Sequence, residues 1–121
     1  MKSFLPISMV VLAPVFFIHS PAIAEHVSYQ DIFPLLEERC LNCHHNPGAP
    51  NGLSLESHEL IMKGGNNGPV VIPGNSAASE IIKRVRGERH PRMPMNGPPY
   101  LNDKELALIA DWIDSGALET E

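Results

Sequence analysis

Cys40 and Cys43 stand three residues apart with His44 directly behind them, and this constrains the chain more than any other feature. There is no other cysteine. A disulfide between the two would close a very small loop and restrain little of the unfolded chain. A thioredoxin-like redox pair belongs in a βαβ setting, and no strand pattern precedes Cys40. A structural zinc site takes four ligands. Cys40, Cys43, His45 and a distant His58 or His90 make such a set, but without a second paired motif. The reading that remains is C-x-x-C-H, the attachment site of c-type haem. In that chemistry the two thiols add across the two vinyl groups on one edge of the porphyrin. The next residue, His44, is carried under the iron as a proximal ligand. His45, one step further on, reads as a surface or haem-edge residue.

The amino terminus sets the compartment. Lys2 precedes an apolar run over residues 4–18, and Ala22 and Ala24 supply small residues for cleavage. This is the three-part pattern of a secretory signal, with cleavage expected after Ala24. The run is short of the ~20 residues that span a bilayer, and Pro6 and Pro14 interrupt it. The expected organisation is a signal peptide over 1–24 and one domain over 25–121, periplasmic and without a transmembrane segment once the signal is removed.

Without residues 1–24, the apolar share falls from 43% to 36 of 97 residues. Only Tyr29, Phe33, Tyr100 and Trp112 remain of the aromatics, beside nine glycines and nine prolines. A chain of this size buries roughly 60–70% of its unfolded surface, and this composition is thin for such a core. A covalently held porphyrin would supply the missing interior. The net charge of −6 over 25–121 excludes a basic nucleic-acid binder. The charge is uneven: residues 83–92 hold five bases and one acid, and 103–121 hold six acids and one base. These read either as two solvated faces or as patches that steer a redox partner.

Helical periodicity predicts an all-α domain. Ser28 and Asp31 suggest a near-capping box, followed by Ile32, Leu36 and Cys40 on one face. Pro34 is expected in the first turn or at a break. Residues 44–52 read as a loop. Ser57 caps a short helix ending at Gly64-Gly65, and 66–74 are extended or irregular. Asn75 or Ser76 is expected to open a helix that runs to about Arg86 and ends at Gly87. The last helix is the clearest, with Asn102 as cap, Glu105 at N3 and Leu101 stapled on Leu106. Its apolar stripe is Leu106, Ile109, Trp112 and Ile113.

The second axial ligand is sought among the methionines, because Met favours ferrous iron and raises the potential. Met62 falls on a helix face and reads as core. Met93 and Met95 fall in a loop with Pro at 91, 94, 98 and 99. Each Pro fixes its own φ and stiffens the loop. Met93 is the first candidate. Met95, His90 and an open sixth position are the alternatives.

Four segments also carry a family resemblance: C-L-N-C-H-H, G-L-S-L, K-G-G-N-N-G-P-V-V-I-P-G-N and R-M-P-M-N-G-P-P-Y-L-N-D-K-E-L-A-L-I-A-D-W-I-D-S-G-A. In this order they resemble planctomycete-type c-type cytochrome domains and, more loosely, class I cytochromes c. The resemblance spans about Tyr29 to Ala117. It implies a small all-α, class I cytochrome c-like domain wrapped around one covalent haem c with His/Met ligation. Cys40, Cys43 and His44 fall on the family's haem motif, and Met93 on the Met of its M-P-P. The third position of that motif is here Met95.

The expected function is single-electron transfer by a monohaem cytochrome that is not an enzyme. Redox proteins are its expected partners, and it acts as a monomer or as a subunit of a redox complex. A haem subunit docked on a larger dehydrogenase is the alternative. A small peroxidase or gas sensor, with His90 or His45 as distal group, is the third reading.

Overall fold

A computed structural model describes residues 1–3, 11–17 and 26–120. The expected cleavage position after Ala24, with residues 4–10 and 18–24 of the predicted signal, lies outside the described residues. Among the described residues, no helix is long and apolar enough to cross a membrane.

The fold is all-α. Four helices follow in order: α1 (Tyr29–Arg39), α2 (His58–Lys63), α3 (Glu80–Arg86) and α4 (Asp103–Asp114). A 3-10 turn at Pro50–Gly52 lies between α1 and α2. No strand occurs among the described residues, apart from one isolated bridge between Gly65 and Gly68.

α4 is the central element and packs on both α1 and α3. Its start follows from local chemistry. The Asn102 side chain accepts from the N–H groups of Lys104 and Glu105, and Glu105 accepts from the Asn102 N–H. This satisfies donors that helix geometry leaves open. Ile109, Trp112 and Ile113 are buried and Leu106 is partly buried, as the stripe predicts. They meet Ile32 and Leu36 of α1 and Ile82 and Val85 of α3 in one core.

α1 begins where Asp31 reaches back to accept from the Ser28 N–H and hydroxyl, both at 2.7 Å. Those two donors hold the Asp31 carboxyl below the usual aspartate range. The helix does not break at Pro34 but runs through it. Pro34 lies on the exposed side, and Gln30, whose carbonyl loses its helical partner, is exposed as well.

α3 begins later than expected, at Glu80 with Ser79 before it. Ser76 is engaged elsewhere: its N–H and hydroxyl both donate to Asp114 at the end of α4, each at 2.8 Å. The Ser79 side chain likewise turns back to the Asn75 carbonyl. A long-range contact therefore takes the residue that local pattern offers as a cap.

The carboxyl-terminal tail clasps the start of α1. The Leu118 carbonyl accepts from the Tyr29 N–H at 2.8 Å and from Trp112 Nε1–H at 2.9 Å. His58 donates through Nε2 to the Ala117 carbonyl at 2.7 Å. The Tyr29 ring packs against Phe33, His58 and Trp112. Three of the four aromatics in residues 25–121 thus concentrate at one end of the core.

The Ser76 donors also hold the Asp114 carboxyl below the usual aspartate range. A depressed folded-state pKa contributes stability above the unfolded value, and that contribution is lost as pH falls through the folded value. Asp114→Ala should therefore lower the thermal midpoint at neutral pH. The gap to the parent protein should shrink in strong acid, as followed by circular dichroism.

Candidate functional site

The cysteine pair stands at the end of α1. Cys40 is the C-cap residue, and its N–H donates to the Leu36 carbonyl at 2.8 Å. The chain then makes a single tight turn. The Cys40 carbonyl accepts from the N–H groups of Cys43 at 3.2 Å and His44 at 2.9 Å. This turn places both cysteines and His44 within one helical step of each other. Both thiols are free, Cys40 half-buried and Cys43 exposed. Burial, opposed by Arg39, pushes the Cys40 thiol up to about 11. Among the described residues no three His, Cys, Asp or Glu side chains gather as a metal set, which weighs against the zinc reading.

His44 is held at two points by the returning segment. Its ring Nδ1 lies 2.8 Å from the Leu53 carbonyl, and its own carbonyl accepts from the Leu55 N–H at 3.0 Å. A carbonyl only accepts, so Nδ1 carries the proton. The other ring nitrogen, Nε2, keeps its lone pair. This is the tautomer control that orients ligating histidines. His45 is exposed and bonds back through Nδ1 to Leu41 at 2.8 Å.

Sequence reading missed Glu56. Its carboxylate accepts from the Asn46 N–H at 2.8 Å and the Ser54 hydroxyl at 2.7 Å. These donors hold Glu56 below its usual range, with a smaller contribution from His45. Glu56 thereby closes the 44–56 loop at its base. The only local sign of this was the S-x-E spacing of Ser54 and Glu56, which is common and unspecific.

The methionine loop is tied to the same end of α1. Arg39, beside Cys40, donates to the Pro99 carbonyl at 2.8 Å and pairs with Glu105 at 3.3 Å. A cleft of about 210 Å³ opens between Glu38 and Arg39 on one side and Asn96 and Pro99 on the other. The Met93 N–H donates to the Arg84 carbonyl in the last turn of α3 at 3.0 Å, and Arg84 itself reaches the His90 carbonyl. Met93 is half-buried against the core, whereas Met95 is 71% exposed. His90 is exposed.

Much of the basic stretch at 83–92 is locally neutralised. Glu80 pairs with Arg84 at 2.8 Å and faces Arg89 at 3.7 Å, and Glu88 faces Arg86 at 4.0 Å. Arg92 lies over the Tyr100 ring, 3.8 Å from its centroid.

The Planctomycete cytochrome C family model matches residues 40–97, from the first cysteine through both loop methionines. The match supports a planctomycete-type cytochrome c domain over those residues. No curated protein and no solved structure matches it significantly. A cytochrome c domain implies haem and electron transfer.

The residues present fit such a group. The free Nε2 of His44 offers a nitrogen ligand. Cys40, Leu41 and Leu53 are partly buried apolar groups of the segments that flank and hold His44, and Met93 is partly buried against the same core. Arg92 Nε is buried without an acceptor among the described residues, a donor suited to an acidic substituent. An unpaired buried charge-bearing donor is costly, so an acceptor there would stabilise the loop.

Glu56→Ala should lower the thermal midpoint of the cytochrome by freeing the loop behind His44. His45→Ala should stay within about 0.5 kcal/mol of the parent, as surface changes do. Urea titration of both variants checks the contrast.

Proposed function

We propose that this domain is a periplasmic, monohaem c-type cytochrome that carries single electrons between redox proteins, with residues 1–24 as its export signal. In this reading Cys40 and Cys43 hold one haem c by thioether bonds, and His44 and Met93 are its axial ligands. The observation that carries the reading is the hydrogen bond from His44 Nδ1 to Leu53, which supports Nε2 as an iron ligand on the residue following the cysteine pair.

When bound, haem supplies a one-electron couple at its iron. The chain's own residues do the rest. Cys40 and Cys43 give two attachment points on one turn. The Leu53 carbonyl keeps the His44 ring from rotating and raises the basicity of Nε2. Met93 contributes a thioether that favours the ferrous state. The proline-rich loop around it keeps water from that side. Arg92 Nε, buried without an acceptor among the described residues, would be available to a carboxylate substituent of the group. His45 and His90, both exposed, serve neither as ligand nor as distal acid–base group.

Spectra of the purified protein in both oxidation states test this. The expected ferric form is low-spin with a sulfur-to-iron charge-transfer band. Met93→Ala should abolish the band and lower the reduction potential, and Met95→Ala should leave both nearly intact. The reverse pattern would move the ligand to Met95, and a high-spin ferric parent would overturn the carrier reading. His44→Ala should prevent a normal holo-protein, and Cys40→Ala should weaken covalent haem retention, read by pyridine haemochrome.

Haem also completes the interior of a thin core. The double variant Cys40→Ala/Cys43→Ala, stripped of haem, should lose most of its helical circular dichroism at 25 °C. A well-folded haem-free form would count against that role for the porphyrin.

A further inference from the structure

The loop between α3 and α4 carries two thioethers two residues apart. Its prolines fix local backbone angles, but they do not determine where the loop sits on the body of the domain. Two backbone ties give it ends: Met93 N–H on the Arg84 carbonyl, and the Pro99 carbonyl on Arg39. Between them the Gly97 N–H donates to the Pro94 carbonyl at 3.1 Å, a turn within the loop that does not tie the stretch to the body of the domain.

The Tyr100 ring does. The Arg92 guanidinium lies over its face, 3.8 Å from the centroid. Gly97 approaches the same ring so closely that a Cβ there would stand 2.5 Å from Cε1. The residues on either side of the Met93–Asn96 segment therefore pack on one aromatic ring. The ring is anchored in turn by Leu101, which is 5% exposed in the core. On its far side the Arg92 stem lies against Gly87, at the left-handed end of α3, where a Cβ would meet Arg92 Cδ at 2.8 Å. A cation over an aromatic face, partly shielded from water, is an attractive and orienting contact.

We propose that Tyr100 is a positioning residue. Its ring closes the loop so that Met93 rather than Met95 turns toward the core, and it thereby determines which sulfur serves the iron. The proposal rests on Met93 as axial ligand. Tyr100 acts through the placement of Arg92 and Gly97, with no contact to the iron required.

The experiment is imidazole titration of the ferric holo-protein, read by loss of the sulfur-to-iron band. A less firmly held thioether is displaced at lower imidazole. Tyr100→Leu should bind imidazole about tenfold tighter than the parent, equivalent to ~1.4 kcal/mol. Tyr100→Phe, which keeps the ring, should match the parent. Gly97→Ala, which pushes the ring aside without removing it, should shift in the same direction as Tyr100→Leu and serves if that variant does not fold. Unchanged imidazole affinity in both Tyr100→Leu and Gly97→Ala would overturn the proposal. So would a Tyr100→Phe variant as weak as Tyr100→Leu. Failure of the ligand reading looks different. The parent would lack the sulfur band, or the band would vanish with Met95→Ala instead of Met93→Ala, and Tyr100 would then have no selecting role.

Discussion

The grip of residues 53–55 on His44 is the contact on which the rest of the site depends. The Leu53 carbonyl accepts from the ring Nδ1–H, and the Leu55 N–H donates to the His44 carbonyl. Leu55 is itself buried, and its carbonyl accepts from the Tyr29 hydroxyl at 3.1 Å. Tyr29 packs on Trp112, whose Nε1–H holds the carboxyl-terminal tail. The histidine is therefore referenced through two hydrogen bonds and one aromatic pair to the centre of the core. A side chain on a surface turn needs such a reference, because its own turn buries too little to hold it still.

The methionine loop is built differently. A loop with four prolines in nine residues, 91–99, lacks the N–H groups to make regular structure. It is held by arginines instead. Arg84 and Arg39 reach its carbonyls from α3 and α1, and Arg92 leaves the loop to lie on Tyr100. The guanidinium suits this work, with several donors in a fixed plane and a face that stacks. It also explains why the basic stretch at 83–92 is less a free cationic surface than its sequence suggests. Glu80 and Glu88 balance two of its five positive charges, and Arg84 and Arg92 are committed in addition to the loop.

Where local chemistry governs, residues and structure agree closely. The Asn102–Glu105 cap, the α4 stripe and the Ser28–Asp31 start of α1 each involve residues within four positions. The departures come where a distant group wins. Ser76 is taken by Asp114, 38 residues away, so α3 starts at Glu80. Pro34 stays within α1 because tertiary packing of Ile32 and Leu36 outweighs one lost backbone bond on the wet side. Glu56, Arg39 and Tyr100 were invisible as site residues for the same reason. Each acts on a group that only the folded chain brings near.

The sequence by itself carried the proposed haem-attachment chemistry, because the three-residue spacing of Cys40 and Cys43 with His44 behind is local and needs no fold to be read. It also determined the helical class and the clearest helix, because apolar period and caps are short-range. Only the tertiary structure decided the ring orientation and tautomer of His44, through a carbonyl nine residues away, and the contrast between a half-buried Met93 and an exposed Met95. Adjacent methionines in one loop are chemically equivalent. Their difference comes from what the loop is pressed against, and that is set by residues on α1, α3 and the approach to α4.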